Sequence, residues 1–128
     1  MHELIIKTKK SKEVVDITDK VNGALSEERR EGLVNLFVTH TTAALTVADL
    51  DQGTDLDMLE ALEVMCPKLD YRHAHNPEHT PDHIMSALIG VQLALPFNQN
   101  GLILGTWQRV ILIELDGPRD RRIIITII

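Results

Sequence analysis

The C-terminal stretch LILGTWQRVILIELDGPRDRRIIITII, residues 102–128, decides the fold class. Residues 102–115 are mostly apolar and β-branched, which predicts one or two strands with a β-bulge at Gly105. DGPRDR, residues 116–121, predicts a tight turn. The final run is a strand with few polar residues on either face. Such a strand must be covered, and a second subunit could provide the cover.

The rest of the chain alternates strand patterns with helical ones. Five further strands are predicted from apolar runs, at residues 4–8, 13–18, 33–40, 43–50 and 91–97. Three helices are predicted: one capped by Thr18 or Asp19 and ended by Gly32, one with apolar residues at 56, 59, 62 and 65 or 66, and one capped by Thr80 and ended by Gly90. This order indicates a single α+β domain over residues 1–128, a mainly antiparallel β-sandwich of two packed sheets with two to three helices.

Composition narrows the class of protein. An apolar fraction of 44% in 128 residues is enough for one continuous core. A net charge of −6 argues against nucleic acid as a partner, because phosphate-backbone binding depends on clustered Lys and Arg. The N-terminus lacks a signal-peptide pattern and no apolar run is long enough to span a membrane, so we expect a soluble cytoplasmic protein without a membrane partner.

Histidines are concentrated in HAHNPEHTPDH, residues 73–83. His83 falls in the first turn of a predicted helix, where the positive end of the helix dipole favours neutral imidazole. His40, in VTHTT, follows a predicted strand and is followed by two hydroxyls. Three imidazoles with an open position would suit a catalytic zinc ion. For His75 and His79 we expect solvated or hydrogen-bonded side chains.

The block GTWQRVILIELDGPR, residues 105–119, contains a second group of candidates. Trp107 is expected as a core or interface anchor, and Thr106 and Gln108 offer neutral hydrogen bonds. Glu114 lies within an apolar strand, so it must pair with a basic residue or reach a metal. Arg119 either presents a bidentate fork to phosphate or is a surface turn residue.

HTTAALTV (40–47), HIMSALIG (83–90) and LILGTWQRVILIELDGPRDRR (102–122), in this order and spacing, resemble the YjbQ-like family, whose members have been described as secondary thiamine-phosphate synthases. The resemblance implies a homotrimer of two-sheet α+β subunits. It also implies a site near subunit contacts that is built around His40, His73 and His83.

The chain departs from the family pattern in two places. Many relatives have a glycine and an Asn or Asp between the last two histidines, whereas AHNPEHTPD here lacks glycine, so His75 and His79 are not inherited ligands. Relatives also often have I-N-E after the H-T-T strand. Asp49 and Asp51 are the candidates to replace that acid.

The resemblance implies a transferase that joins hydroxymethylpyrimidine diphosphate to thiazole phosphate and releases diphosphate, as a side activity of a metal or anion site. His40, His73 and His83 would hold a divalent metal, zinc or magnesium, and His40, His83 and Glu114 are the candidate catalytic residues. The candidate groups for binding a small phosphorylated metabolite are Thr41, Thr42, Thr106, Gln108 and Arg119.

Two other classes of function stay open. One is a metal-dependent hydrolase that uses metal-bound water on a phosphorylated or acyl metabolite and needs no second organic substrate. The other is a non-catalytic trimer, which either binds a small anion or metal without turnover or serves a purely structural role.

Overall fold

The C-terminal stretch forms two strands that lie in different sheets of the computed structural model, which describes residues 2–128. The elements in chain order are β1 (His2–Lys7), β2 (Glu13–Asp16), α1 (Thr18–Ala24), β3 (Gly32–Val38), β4 (Ala43–Ala48), α2 (Thr54–Met65), a short 3-10 helix (Pro77–His79), α3 (Thr80–Ile89), β5 (Gln92–Asn98), β6 (Gly101–Leu102), β7 (Arg109–Glu114) and β8 (Asp120–Ile127). The predicted α+β class, with two antiparallel sheets and three helices, is confirmed.

Both sheets are antiparallel throughout. The first sheet has the strand order β1-β8-β3-β5-β6, and the second has the order β2-β7-β4. The C-terminal strand β8 is therefore internal to the first sheet, while β7 is the central strand of the second. The turn between β7 and β8 carries the chain from one sheet to the other.

The alternation of apolar residues places the core between the two sheets. On β8, Ile123 and Ile125 face inwards and are fully buried. On β7, Val110 and Leu112 join the same core, while Ile111 and Ile113 pack on the other face with Met85 and other residues near the helices. The continuous apolar run of β7 is thus explained by burial on both faces, which stabilises the fold by about 1.5–3 kcal/mol per large side chain.

The cover expected for the final strand comes from the chain itself. β8 pairs with β1 along one edge and with β3 along the other, so it has no free edge for a second subunit. Its outward-facing side chains, which include Ile124 and Thr126, are half-buried. A second subunit, which could have covered this strand, is therefore not needed to pair its edges, because β1 and β3 lie on both sides of it.

Four local predictions were also wrong. Gly105 forms no bulge, because residues 103–108 form a loop between β6 and β7. Gly32 begins β3 instead of ending α1. Thr18 does not cap α1; its hydroxyl instead accepts the N–H of Val110, at 2.8 Å. Thr80 does not cap α3 either, since its hydroxyl has no hydrogen-bond partner.

The helix α2 lies on the surface of the second sheet. Leu59 and Leu62 pack against the buried cluster that contains Ile111 and Ile113 of β7. In contrast, Leu56 is 63% exposed and Met65 is 69% exposed. Cys66, directly after the helix, is buried in the same cluster, so the predicted apolar face is correct at 59, 62 and 66 and wrong at 56. No helix within residues 2–128 is both long enough and apolar enough to cross a membrane.

Candidate functional site

A buried ion pair lies at the end of the sandwich where β7 turns into β8. Glu114 is the last residue of β7 and Arg121 the second of β8, and their exposed fractions are 0% and 1%. Arg121 Nε donates to Glu114 Oε2 at 2.9 Å, and Nη2 donates to Glu114 Oε1. The same Nη2 donates to the carbonyl and hydroxyl oxygens of Thr42, at 2.9 and 2.8 Å. The pair therefore joins both sheets to the start of β4.

The remaining acceptor capacity of Glu114 is also used. The Thr8 hydroxyl donates to Oε2 at 2.7 Å, and the Asp116 N–H donates to Oε1 at 3.0 Å. Burial alone would raise the pKa of Glu114, but the guanidinium of Arg121 and these donors lower the pKa overall. Since Glu114 is fully buried and saturated, it is a positioning residue, and the geometry does not support its predicted catalytic role.

His40 is held just above this pair. It follows β3, and its Nε2 accepts the backbone N–H of Arg122 at 2.9 Å. Burial lowers the pKa of His40, and the nearby charges of Arg121 and Arg119 lower it further, although Glu114 acts in the opposite direction. His40 is therefore neutral at pH 7. Because Nε2 accepts a hydrogen bond, the proton lies on Nδ1.

His83 is fixed by a different backbone contact. It lies in the first turn of α3, and its Nδ1 is 3.0 Å from the carbonyl oxygen of Thr41. Since a carbonyl only accepts, Nδ1 carries a proton and Nε2 is left for a ligand. One turn later, the buried Ser86 hydroxyl donates to the carbonyl of Ala43 at 2.7 Å. These two contacts fasten α3 to the segment that carries His40.

His73 packs against His83 face to face. The two ring centroids are 5.0 Å apart and the ring planes differ by 5°. His73 Nδ1 accepts the backbone N–H groups of His75 and Asn76, at 3.3 and 3.0 Å. His75 is exposed and touches His73 edge-on, with centroids 6.3 Å apart. The turn over residues 73–76 thus uses His73 as a structural acceptor.

The predicted three-histidine metal shell does not fit this geometry. His40 Nε2 and His73 Nδ1 already accept backbone N–H groups. Moreover, the lone pairs of an imidazole lie in the plane of its ring. Two stacked parallel rings such as His73 and His83 therefore do not aim their lone pairs at a common point.

A cleft of about 800 Å³ opens between α3 and the ends of β3 and β5. Its lining includes Phe37, His40, Thr41, His83, Ser86 and Val91. Most of the wall is apolar, and its polar groups include the imidazoles of His40 and His83 and the hydroxyls of threonine and serine residues. This combination of a mostly apolar wall with a few placed polar groups is typical of a small-molecule site.

Three further residues that were predicted to bind phosphate lie near the cleft, and they differ in whether their side chains are free to reach it. Thr41 lines the cleft, whereas the Thr42 hydroxyl is buried against Arg121. Arg119 is half exposed, and its guanidinium donates to the carbonyl and the carboxylate of Asp116, at 2.8 and 3.1 Å. Arg119, which was predicted to bind phosphate, lies close enough to His40 to help lower the pKa of that imidazole.

Thr106 and Gln108 lie at the far end of the second sheet. Ala43 pairs with Glu114 and Ala48 pairs with Arg109, so the two ends of β4 are about 16 Å apart. Gln108 Oε1 accepts the N–H of Gly105 within the loop 103–108, at 2.8 Å. Within one chain, these two predicted phosphate ligands are therefore separated from the histidines.

Asp49 and Asp51 follow β4 at the same far end, where the Asp49 carboxylate accepts the Asp51 N–H at 2.9 Å. Neither acid lies beside His40 within the chain. Trp107 is 75% exposed, which excludes the core position considered for it.

Arg121 and Thr8 are central to the site, and sequence reasoning missed both. The available signal was the alternation along β8, which places Arg121 on the same buried face as Ile123 and Ile125. A charged residue on a buried face requires a partner, and Glu114 is the matching acid on the preceding strand, β7, in the other sheet.

The fold class of this protein is a two-sheet α+β domain with a histidine-lined cleft at one end. The sequence model described as "UPF0047 protein YjbQ-like" matches residues 2–128. The chain therefore belongs to the UPF0047 YjbQ-like family.

Similar proteins cover nearly the whole chain. A UPF0047 protein of Archaeoglobus fulgidus is 39% identical over 124 residues, which is 96% of this chain and 97% of that protein. The UPF0047 protein YugU of Bacillus subtilis is 34% identical over 92% of this chain and 91% of its own length. A crystal structure of a conserved hypothetical protein from Thermus thermophilus has a TM-score of 0.89 at 37% identity, with full coverage of both chains.

The Glu114→Gln substitution tests the buried pair. Removing the carboxylate charge leaves Arg121 buried without its counter-ion, so we expect the free energy of unfolding to fall by about 3–5 kcal/mol at pH 7. Folding lowers the pKa of Glu114, so the carboxylate stabilises the fold above the ordinary glutamate pKa. That stabilisation is lost as the pH falls through the folded-state pKa. Denaturant unfolding of both proteins from pH 7 to pH 3 measures this difference.

The matched control is Glu60→Gln, at an exposed position of α2, which we expect to change stability by less than about 0.5 kcal/mol. A Glu114→Gln cost below about 1 kcal/mol, or a cost that stays constant as the pH falls, would contradict this description of the pair.

Proposed function

We propose that the cleft binds a small phosphorylated heterocyclic metabolite and catalyses group transfer, with formation of thiamine phosphate as a side activity. The observation that carries the proposal is the pair of histidines that line one cleft. Each has one ring nitrogen bound to the backbone and the other left for a ligand.

The two histidines offer complementary hydrogen bonds. His40 presents its Nδ1–H as a donor, because its Nε2 accepts the Arg122 N–H. His83 presents Nε2 as an acceptor, because its Nδ1–H donates to the Thr41 carbonyl. A donor and an acceptor in one cleft suit a substrate that has both an oxygen-rich leaving group and an amino group, as an aminopyrimidine diphosphate does.

The rest of the cleft wall suits a flat ring. Phe37 and Val91 are apolar, and a space of about 800 Å³ is within the usual range for a small-molecule site. A heterocycle can lie against these side chains while its polar edge reaches the histidines. The apolar wall also lowers the local dielectric, which strengthens hydrogen bonds to charge that develops during the reaction.

The reaction needs no proton transfer at carbon. The lone pair of the thiazole nitrogen forms a bond to the methylene carbon of the pyrimidine substrate as the bond from that carbon to diphosphate oxygen breaks. The diphosphate leaves with the electron pair. His40 Nδ1–H is the donor available to the leaving oxygen, and Arg119 is the nearby cation, so together they would stabilise the developing charge.

The proposal includes a trimer, because within one chain the length of β4 lies between the histidines and the pair Thr106 and Gln108. If a neighbouring subunit brings its loop 103–108 to the cleft, the two groups become one site. Exposed apolar side chains support association: Trp107 in that loop is 75% exposed, and Phe37 at the cleft is 42% exposed.

The first test is a coupled assay with hydroxymethylpyrimidine diphosphate and hydroxyethylthiazole phosphate, with and without Mg²⁺. We expect product formation by the wild type. His40→Ala and His83→Ala should each lower kcat/KM by about 10²–10⁴-fold, the usual contribution of a group that stabilises or moves charge in a transition state. His75→Ala is the matched control, because His75 is exposed in the same loop and should leave the rate unchanged.

Absence of product from the wild type, or equal activity of all three variants, would refute the transferase proposal. Diphosphate release in the absence of thiazole phosphate would refute it as well, and would identify the hydrolase instead. Tight binding of the pyrimidine substrate without turnover would identify a non-catalytic binding protein.

The second test mixes inactive subunits. If Gln108 acts in the cleft of its neighbour, Gln108→Ala should be inactive alone, and co-refolding it with His83→Ala should restore activity. In a random one-to-one mixture, about a quarter of the subunit contacts combine an intact His83 with an intact Gln108, so about a quarter of the wild-type activity should return. Light scattering should give three times the 14.4 kDa chain mass.

The control mixture is His40→Ala with His83→Ala, which should restore nothing because both histidines lie in the cleft of one chain. A monomer in solution, or equal recovery in both mixtures, would show that the loop 103–108 does not act in trans.

A further inference from the structure

We propose that His79, Asp82 and Asp116 form a site for one divalent transition-metal ion, outside the histidine-lined cleft. Each residue offers one ligand atom, and these atoms all lie within 4.8 Å of one another. Among residues 2–128 this is the one group of three His, Cys, Asp or Glu side chains that meets such a limit. The site does not depend on the proposed transferase activity.

The spacing of the ligand atoms fits an ion. His79 Nδ1 is 3.3 Å from Asp82 Oδ2 and 3.2 Å from Asp116 Oδ2. Ligands bound to one zinc ion at about 2.0–2.2 Å lie roughly 3.2–3.6 Å apart when the geometry is tetrahedral. The imidazole and both carboxylates can therefore close around an ion through small side-chain rotations.

A buried atom without a partner points to the same place. His79 Nδ1 is completely buried, yet it makes no hydrogen bond, although two carboxylate oxygens lie close to it. The angles at the imidazole do not suit an N–H donor to either carboxylate. A buried ring nitrogen without a hydrogen-bond partner is unfavourable, and coordination to a metal ion would satisfy it.

Two basic side chains compete for the same carboxylates. Lys12 Nζ pairs with Asp82 Oδ1, and Arg119 Nη2 is 3.1 Å from Asp116 Oδ2. Both basic side chains are about half exposed, so each can move into solvent when an ion enters. Metal binding would replace these surface ion pairs, which are individually weak.

The donor set decides the class of ion. One imidazole nitrogen with two carboxylate oxygens suits Zn²⁺ or a related transition metal, and it leaves a fourth position for water. Mg²⁺ prefers oxygen ligands and near-octahedral geometry, so it should bind much more weakly here.

The ion would join two parts of the chain that flank the cleft. His79 and Asp82 lie at the start of α3, and Asp116 lies in the turn between β7 and β8. Asp82 directly precedes His83, so an ion here would hold the start of α3 against the turn that carries Arg119. The expected consequence is a stabilised helix start and a more fixed His83, whatever the cleft binds.

The test is Zn²⁺ titration of the untagged, metal-free full chain by calorimetry, together with metal content by mass spectrometry. We expect one Zn²⁺ per chain and a rise in Tm of at least about 5 °C at saturating Zn²⁺. His79→Ala should weaken binding by more than the 10–100-fold that is typical for loss of an outer-shell partner. Asp82→Asn and Asp116→Asn, which keep side-chain shape, should each weaken binding as well. Lys12→Gln should strengthen it, since a competing ammonium is removed.

The matched controls are His75→Ala and His83→Ala, which should keep both the stoichiometry and the affinity. A wild type that binds no Zn²⁺ would overturn the proposal, and so would unchanged binding by a folded His79→Ala variant. Loss of binding in His83→Ala with retention in His79→Ala would move the ion to the cleft, which also overturns this site. None of these results depends on turnover in the thiamine phosphate assay.

Discussion

The carboxylate of Glu114 and the guanidinium of Arg121 lie buried between the two sheets, and the geometry of the cleft depends on them. A buried ion pair of this kind seldom adds net stability, because removing both charges from water costs about as much as their attraction returns. Its effect here is on position. Arg121 also binds the carbonyl and hydroxyl of Thr42, so the pair fixes the segment that follows His40.

From this pair, each further contact fixes one histidine. The backbone N–H of Arg122, next to Arg121, is accepted by His40, and the carbonyl of Thr41 receives the Nδ1–H of His83. The strand β8, the segment 40–42 and the helix α3 are thus connected by backbone groups. As a result, the imidazole of His40 presents a hydrogen-bond donor to the cleft and the imidazole of His83 presents an acceptor.

The sequence predicted the strands and the candidate histidines better than their contacts. β7 and β8 were evident because apolar, β-branched runs have few alternatives, and His40 and His83 do share a cleft. The partner of Glu114 was missed because the packing of one sheet on the other, which sequence does not show, brings Arg121 of β8 to it. The fit of a metal shell could not be judged from sequence, because ring stacking and tautomers depend on backbone groups of other segments, such as the N–H of Asn76. Spacing along the chain contains neither.

The most direct measurement is a long-range ¹H–¹⁵N NMR spectrum of the histidine rings at pH 7. It distinguishes a protonated ring nitrogen from an unprotonated one in each imidazole. We predict that His40 is neutral with its proton on Nδ1, and that His83 has a protonated Nδ1. A His40 ring that is protonated on Nε2 would contradict this arrangement, because the Arg122 N–H would then have no acceptor and β8 would not position the cleft.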